Sequence, residues 1–291
     1  MRNGPFAPVI IIGMHRSGTS MIMRMLGKLG LFVGNDLELN HESLFFFRCN
    51  EWLLRQTWAT WDNPSAIRWL LSDGELLELV EDYLRFRLNH WPVHRYLGLK
   101  RYLRGDRPLG EMRQPWGWKD PRNTFTLPVW LRLFPEARIV HVYRNGISVA
   151  ASLRERHVRE LARARHLYER HKKWGLYRYF AKRNEFIYTA RSRNLMGTFT
   201  LWEEYTERAF RVLEESGPAV FTIKYEEFVA EPFRNLQELA GFCGLNPEPS
   251  SLNRAAACAD RARIQEFRSS PELLEFYEKV RDRRWMKDLG Y

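Results

Sequence analysis

The sequence predicts an α/β fold, with a P-loop-like central parallel sheet and helices on both faces. Two observations support this prediction. Short apolar runs rich in β-branched residues recur along the chain, and each leads into a segment whose apolar residues have helical spacing. This alternation favours parallel strands joined by helical crossovers. A chain of 291 residues, 45% of them hydrophobic, can bury the core of one such domain, so we expect a single domain over residues 1–291.

The first predicted strand and helix enclose a loop suited to an anion. The run Val9–Ile12 predicts a strand that is buried on both faces. From Ser17 onward the helical spacing begins, and it is carried by Met21, Ile22, Met25, Leu26 and Leu29. Between them lies the loop Gly13-Met14-His15-Arg16-Ser17-Gly18-Thr19-Ser20. Backbone N–H groups and the dipole at a helix N-terminus attract a tetrahedral anion, so the loop predicts a phosphate or sulfate site.

The elements that follow continue the alternation of strand and helix. The pattern predicts a loop over 31–40, helices over 42–58, 76–88, 145–156, 202–213 and 233–243, and strands over 116–119, 138–143 and 220–225. Four tryptophans are close in sequence, and we expect several of them in the core or at helix-packing contacts, with one or two in an acceptor pocket as the alternative: Trp52, Trp58, Trp61 and Trp69. The basic stretch 154–193 predicts a solvated helical surface or, alternatively, a cap that binds an anionic acceptor.

Composition limits the class of partner. A formal net charge of +11 predicts an anionic ligand, which can be a nucleotide, a nucleic acid, an acidic glycan or a membrane surface. The three cysteines are odd in number and widely spaced, which predicts a reducing compartment and no metal site. The sequence shows no signal peptide and no apolar run long enough to span a bilayer. We therefore expect a cytoplasmic protein.

The loop departs from the nucleotide-binding P-loop in an informative way. Gly13 and Gly18 have the spacing of G-x-x-x-x-G-K-[ST], but Thr19 stands at the lysine position and the basic residue has moved to Arg16. The missing lysine normally contacts the β- and γ-phosphates of a nucleoside triphosphate, so its absence argues against a kinase or NTPase.

The form Arg16-Ser17-Gly18-Thr19-Ser20 after a buried strand resembles the 5′-phosphosulfate loop of sulfotransferases that use 3′-phosphoadenosine 5′-phosphosulfate (PAPS). Tyrosylprotein sulfotransferases and many bacterial members carry Arg at the position of Arg16. The resemblance implies that the donor is bound by the following loop residues: Gly13, His15, Arg16, Ser17, Gly18, Thr19 and Ser20.

A second element resembles the family's 3′-phosphate site. Arg144 follows the predicted strand 138–143, and Ser152 lies eight residues later on a similar face of the predicted helix. A guanidinium and a hydroxyl in this arrangement can clamp a phosphate. The spacing is similar to the R-x-x-x-x-x-x-x-S pattern of the family, which implies that both residues bind the 3′-phosphate.

Two further stretches resemble the family. Lys119 in Trp118-Lys119-Asp120-Pro121-Arg122 ends a predicted central strand, at the edge where open α/β sheets bind ligands. The K-D-P motif implies that this lysine contacts the sulfuryl group or the bridging oxygen. The stretch Ile223–Val229 resembles the family's Y-E-D/E segment near adenine and implies that Tyr225 contacts the nucleoside.

Sulfuryl transfer explains why these residue types are needed. Negative charge builds on the bridging oxygen, so Arg16, Lys119 and the loop N–H groups would stabilise the transition state, and no metal is required. A general base must take the acceptor proton. The family commonly places a Glu or His after the first helix, and the candidates here are Asp36, Glu38, His41 and Glu42. We select Glu42, which the pattern places at the start of an apolar helix.

The sequence departs from the family in two places. Many cytosolic members have a tryptophan that stacks on adenine where this chain has Met21. The C-terminal R-K-G segment that adds 3′-phosphate contacts is also missing. Three arginines are candidates to replace it: Arg261, Arg263 and Arg268.

The combined expectation is a sulfotransferase that moves the sulfuryl group from PAPS to a hydroxyl, or as second choice an amine, with 3′-phosphoadenosine 5′-phosphate (PAP) as product. The acceptor pocket would be assembled from the variable segments 31–110 and 154–197, whose composition suits a glycan, lipid, phenol or peptide. Peripheral contact with a membrane is compatible with this composition. We expect no nucleic-acid partner. The alternatives are a P-loop-type kinase or NTPase, and a non-catalytic basic protein that binds nucleic acid or acidic glycan.

Overall fold

Four strands form one parallel sheet in the computed structural model, which describes residues 6–105, 108–175, 186–187, 189–215, 219–259 and 266–291. The strands are β1 (Val9–Ile12), β2 (Gly117–Lys119), β3 (Arg138–Tyr143) and β4 (Val220–Lys224). Their order is β2-β1-β3-β4, and each neighbouring pair is parallel. The predicted α/β class with a central parallel sheet is confirmed.

The helices of the described residues connect and cover these strands. They are α1 (Thr19–Lys28), α2 (Leu44–Arg55), α3 (Ile67–Ser72), α4 (Gly74–Asn89), α5 (His94–Leu97), α6 (Leu99–Leu103), α7 (Asn123–Leu133), α8 (Gly146–Lys173), α9 (Leu195–Glu215), α10 (Tyr225–Ala230), α11 (Pro232–Phe242), α12 (Pro249–Ala256), α13 (Pro271–Val280) and α14 (Arg284–Asp288). Short 3-10 turns lie at Pro64–Ala66, Trp91–Val93, Leu109–Glu111, Arg191–Arg193 and Glu266–Ser269.

The central strand β1 is buried along its whole length, as its apolar run predicts. Side chains alternate across a strand, so Val9 and Ile11 face one way and Ile10 and Ile12 the other. The first pair joins a core built with α1, α11 and α12. On the opposite face α7 packs against β1. The sheet is therefore covered by helices on both faces.

The helix predicted over 42–58 is shorter than expected. It begins at Leu44 because the Asp36 carboxylate accepts hydrogen bonds from the Ser43 hydroxyl at 2.8 Å and the Phe45 N–H at 2.7 Å. These bonds satisfy groups at the helix N-terminus that the helix itself leaves unpaired. Glu42 therefore lies in the preceding loop and does not open the helix.

The helix that follows β3 is longer than predicted, since α8 extends to Lys173 instead of ending near residue 156. Its apolar stripe is weak, but pairs of opposite charge one turn apart support it, including Arg156 with Glu160 and Arg159 with Glu155. Likewise α9 begins at Leu195, earlier than predicted. The basic stretch 154–193 is helical up to Lys173, and residues 176–185 and 188 lie outside the described residues.

Two of the four tryptophans are exposed and do not lie in the core. Trp58 is 93% exposed and Trp69 is 63% exposed. Trp58 follows the end of α2 with a φ of 55°, a left-handed conformation that terminates the helix. Trp52 packs at 4.3 Å from the Tyr83 ring, and Trp61 lies beside His15, as described below.

The chain contains two compact units. One comprises Met1–Arg144 and Tyr205–Ile264 and carries the whole sheet. The other comprises Asn145–Glu204 and Gln265–Tyr291 and is helical in its described part. The single domain expected from the sequence stays a prediction. Among the described residues, no helix is both long and apolar enough to cross a membrane.

His141 on β3 should make the stability of the protein depend on pH. Its ring is buried at 5.1 Å from the Phe210 ring, and its Nδ1 has no hydrogen-bond partner among the described residues. Burial lowers the pKa of His141 from 6.5 to about 4. Between these values the unfolded chain binds a proton that the folded protein excludes. Stability is therefore lost as the pH falls from 6.5 toward 4.

When the pH falls from about 7 to about 5, we expect the free energy of unfolding to decrease by about 2 kcal/mol more in the wild type than in His141→Leu. Urea unfolding at each pH measures this difference. His90→Leu is the matched control, because His90 is exposed and should leave the pH dependence unchanged. Equal losses in the wild type and His141→Leu would contradict the assignment.

Candidate active site

The loop Gly13–Ser20 leaves the carboxyl end of β1 in a conformation that glycine permits. Gly13 has a φ of 132°, and a Cβ there would lie 2.1 Å from the backbone oxygen of Val142 on β3. Its N–H donates a hydrogen bond of 3.1 Å to Thr124 Oγ1 on α7. Arg16 also has a positive φ, of 70°. The loop is thus held closely against the sheet and α7.

The end of this loop has the features of an anion site. The Ser17 hydroxyl is fully buried and has no hydrogen-bond partner among the described residues. Helix α1 begins two residues later, and no side chain caps its N-terminus. Free N–H groups and the helix dipole at this point favour a bound anion. The predicted phosphate or sulfate site therefore has suitable local structure.

A buried lysine and carboxylate lie next to the loop. Lys119 Nζ, at the carboxyl end of β2, is 2.7 Å from Glu42 Oε1 and 3.2 Å from Ser20 Oγ. Lys119 is only 1% exposed, and Glu42 is buried as well. An ion pair shielded from water is weakly screened by salt and is held in a defined geometry. The structure thus brings together three predicted site residues that are distant in sequence.

A second cation faces the same carboxylate, and sequence reasoning did not assign it a role. Arg122 Nη1 lies 3.9 Å from Glu42 Oε2 and 3.0 Å from Asp120 Oδ1. Burial by itself would lower the pKa of Arg122, but the charges of Asp120 and Glu42 outweigh it and raise that pKa. Arg122 therefore stays protonated. Its position three residues after Lys119 was the available sequence signal.

A buried amide supports the turn between β2 and α7. Asn50 Nδ2 donates to Asp120 Oδ2 at 2.9 Å and to Asn123 Oδ1 at 2.8 Å. Its Oδ1 accepts hydrogen bonds of 2.8 Å from both Thr126 and Trp130. A fully satisfied buried network fixes side-chain positions. Sequence reasoning missed Asn50, although a lone amide within the apolar run of α2 was a usable signal.

The four base candidates occupy different surroundings. Asp36 caps α2, and Glu38 accepts a hydrogen bond of 3.0 Å from Asn40. Burial and the charges of Arg24 and Lys119 lower the pKa of His41. Of these four candidates, Glu42 is the one whose carboxylate accepts a hydrogen bond from Lys119 in the described residues.

Arg144 lies directly after β3 and against the loop. Its Nη1 donates to the Arg16 carbonyl at 3.5 Å, and its Cζ lies 4.6 Å from the centre of the Tyr225 ring. Gly18, with a φ of 98°, allows that ring to approach, since a Cβ there would lie 2.4 Å from Tyr225 Cδ2. The strand end, the loop and Tyr225 therefore pack as one group. Ser152 lies in α8 of the other unit, and its pairing with Arg144 stays a prediction.

Aromatic residues border the loop at His15. The Trp61 ring meets the His15 ring edge-on, with 4.8 Å between centroids. The buried Tyr205 hydroxyl donates to the Trp61 carbonyl at 2.7 Å, which holds Trp61 in place. Of the four tryptophans considered as pocket walls, Trp61 is the one shown in contact with the loop.

The structure does not show the residues considered for the missing family contacts grouped at one site. Met21 is buried in the core beside β1, so it presents no surface for stacking on a base. Arg268 lies in the second unit with its Cζ 5.9 Å from the Phe267 ring centre. Arg261 and Arg263 lie outside the described residues. The residues that the structure describes also contain no group of three or more His, Cys, Asp or Glu positioned to hold a metal ion.

The fold and the site define an α/β protein with a loop suited to an anion at the carboxyl edge of a parallel sheet and a buried lysine–carboxylate pair beside it. The model of the sulfotransferase family matches residues 8–249. The chain therefore belongs to the sulfotransferase family, as the sequence resemblance predicted. Family membership implies transferase activity. A search of curated proteins found no match.

Solved structures of sulfotransferases are similar to this chain, and the first of the following three shares its fold. The sulfotransferase domain from the curacin biosynthetic pathway has a TM-score of 0.50 at 15% identity, over 95% of this chain and 97% of that chain. The sulfotransferase domain of the Synechococcus PCC 7002 olefin synthase has a TM-score of 0.45 at 16% identity, over 95% and 94%. Sulfotransferase STF1 from Mycobacterium tuberculosis H37Rv has a TM-score of 0.45 at 15% identity, over 87% and 71%.

Proposed function

We propose that the protein transfers a sulfuryl group from PAPS to a hydroxyl acceptor. The observation that supports this most is the hydrogen-bonded series Ser20 Oγ, Lys119 Nζ and Glu42 Oε1. It links the anion-binding loop to a buried carboxylate through one ammonium group. Charge stabilisation and proton removal, the two tasks of sulfuryl transfer, thus have neighbouring residues.

The residues at the sheet edge fit the donor. The buried Ser17 hydroxyl, the loop N–H groups and Arg16 would hold its 5′-phosphosulfate. Arg144 would hold the 3′-phosphate, and Tyr225 would lie near the nucleoside. PAPS supplies the sulfuryl group and leaves as PAP. The remaining loop residues in contact with the donor would be Gly13, His15, Gly18, Thr19 and Ser20.

Lys119 and Glu42 would divide the chemistry between them. The acceptor oxygen bonds to sulfur as the bond to the bridging oxygen breaks, and Glu42 takes the acceptor proton. Lys119 lies within reach of both the loop and Glu42, so its ammonium can move from the carboxylate toward negative charge at the loop. That movement would leave Glu42 Oε1 open to the acceptor hydroxyl. Arg122, at 3.9 Å from the other carboxylate oxygen, would hold the Glu42 side chain in position.

The alternative of a P-loop-type kinase has less support. The lysine position of that motif is occupied by Thr19, which is buried and has no charge to place on a β- or γ-phosphate. A non-catalytic binder of nucleic acid or glycan has no need of a buried lysine–carboxylate pair. The cytoplasmic location, the absence of a metal and the acceptor segments 31–110 and 154–197 stay predictions.

The test is transfer of labelled sulfuryl from PAPS to a panel of phenols, alcohols, glycans, lipids, peptides and amines. We expect a labelled sulfate ester of a hydroxyl acceptor, and release of PAP, without added metal. A parallel reaction with ATP and Mg²⁺ should give no phosphorylated product. Phosphoryl transfer from ATP, with no transfer from PAPS, would contradict the proposal and support the kinase alternative.

A further inference from the structure

We propose that one surface of the sheet-bearing unit docks on an anionic lipid membrane. This surface, the basic apolar patch, comprises residues 83–104, from the second half of α4 through α6. It contains six Arg or Lys residues and no Asp or Glu. The inference goes beyond the proposed function and does not depend on it.

Large apolar side chains in this patch face solvent. The exposed fraction is 53% for Phe86, 56% for Trp91, 54% for Leu99 and 72% for Leu103. Single exposed apolar residues are common on soluble proteins, whereas a continuous group of them indicates an interaction surface. The patch is therefore interpreted as an interaction surface only if its exposed apolar side chains are continuous.

Ring contacts and helix spacing make the patch continuous. The Phe86 ring stacks on His90 at 4.2 Å, and the Trp91 ring lies 5.3 Å from the Tyr102 ring. On α6, Leu99 lies about one turn before both Tyr102 and Leu103, so its side chain is a neighbour of each on the helix surface. The apolar side chains thus extend from the end of α4 across α6.

Three cations of the patch are exposed to an external anion, whereas Arg85 is paired with Glu81. Lys100 on α6 and Arg104 at the C-cap of that helix are exposed, lie about one turn apart, and form no ion pair with a described residue. Arg95 is exposed as well. Lys and Arg beside exposed Leu, Trp and Tyr are typical of segments that lie in the interface of an anionic bilayer.

The combination of charge and apolar surface favours a lipid over other anionic partners. A nucleic acid or an acidic glycan would bind the cations and leave Phe86, Leu99 and Leu103 in water. The surface of an anionic bilayer binds the cations through its negatively charged headgroups and the apolar side chains through its acyl boundary. The first half of α4 also exposes Leu79, but acidic residues surround it there: Glu75, Glu78, Glu81 and Asp82. We therefore place the edge of the patch before Tyr83.

The experiment is co-flotation of the full chain with vesicles of phosphatidylcholine alone or mixed equally with phosphatidylglycerol. We expect binding to the mixed vesicles only. Lys100→Gln/Arg104→Gln should weaken it about 25-fold, since each cation near an anionic surface strengthens binding about fivefold. Leu99→Ser/Leu103→Ser should weaken it at least about tenfold through lost apolar insertion. Circular dichroism checks that each variant is folded.

Two matched controls make the result specific. Leu79→Ser removes an equally exposed leucine outside the patch, and Arg281→Gln/Arg284→Gln removes the same charge from the other unit. Both should bind vesicles like the wild type. Equal binding to neutral vesicles, or patch variants that bind like these controls, would overturn the proposal. So would a Leu99→Ser/Leu103→Ser variant that loses self-association but keeps vesicle binding. PAP binding by the same samples tests the donor site separately.

Discussion

Replacing Glu42 by Gln should reduce kcat for sulfuryl transfer about 10³-fold, because an amide cannot accept the acceptor proton. The substitution keeps the shape of the buried side chain, so the loop and Lys119 should stay in place. We therefore expect PAP to bind within about twofold of the wild type, since Glu42 is placed on the acceptor side of the reaction. Steady-state kinetics with the acceptor found by screening, together with PAP titration, measures both quantities.

Glu38→Gln is the matched control, because Glu38 was also a base candidate but its carboxylate accepts a hydrogen bond from Asn40 instead of from Lys119. It should transfer sulfuryl at close to the wild-type rate. A fully active Glu42→Gln variant would remove Glu42 from the base role. In that case loss of activity in His41→Asn would transfer the role to the neighbouring histidine.

Replacing Lys119 by Met should reduce transfer about 10²- to 10³-fold, since the ammonium group that meets charge on the bridging oxygen is lost. It should also lower the free energy of unfolding by about 3–5 kcal/mol, the cost of leaving one partner of a buried ion pair uncompensated. Glu42 would remain buried, with Arg122 at 3.9 Å as its nearest cation. Urea unfolding and steady-state kinetics separate the two effects.

The double variant Glu42→Gln/Lys119→Met distinguishes an ion pair from simple loss of packing. Because it removes both charges, it should recover most of the lost stability while remaining inactive. Lys279→Met serves as the control, since its partner Glu275 and the lysine itself are exposed, and it should change neither stability nor activity. A double variant as unstable as Lys119→Met would show that the broken ion pair does not cause the loss of stability.

Much of the sheet edge could be predicted because its residues follow strands directly in sequence. The loop after β1, Lys119 at the end of β2 and Arg144 after β3 are each placed by a local change from strand to helix. Parallel strands then bring these ends to the same edge. Strand β3 was predicted with its observed bounds, since its apolar run is long and clear.

The parts that could not be predicted depend on contacts distant in sequence. Glu42 meets Lys119 across 77 positions, and Asn50 meets Asp120 across 70. The start of α2 was misplaced because Asp36, eight residues upstream of the helix, caps it. Residue type also failed to place Trp58 and Trp69, because hydrophobicity alone does not show which tryptophans face solvent.

The central claim is that the sheet edge binds a nucleotide with a 3′-phosphate. Isothermal titration of PAP, 5′-AMP and ATP into the wild type, Arg144→Ala and the exposed control Arg132→Ala tests it directly. We expect the wild type and Arg132→Ala to bind PAP about 10- to 100-fold more tightly than 5′-AMP, and Arg144→Ala to lose this preference with its charge-assisted hydrogen bonds. Equal affinity of the wild type for all three nucleotides would contradict the claim.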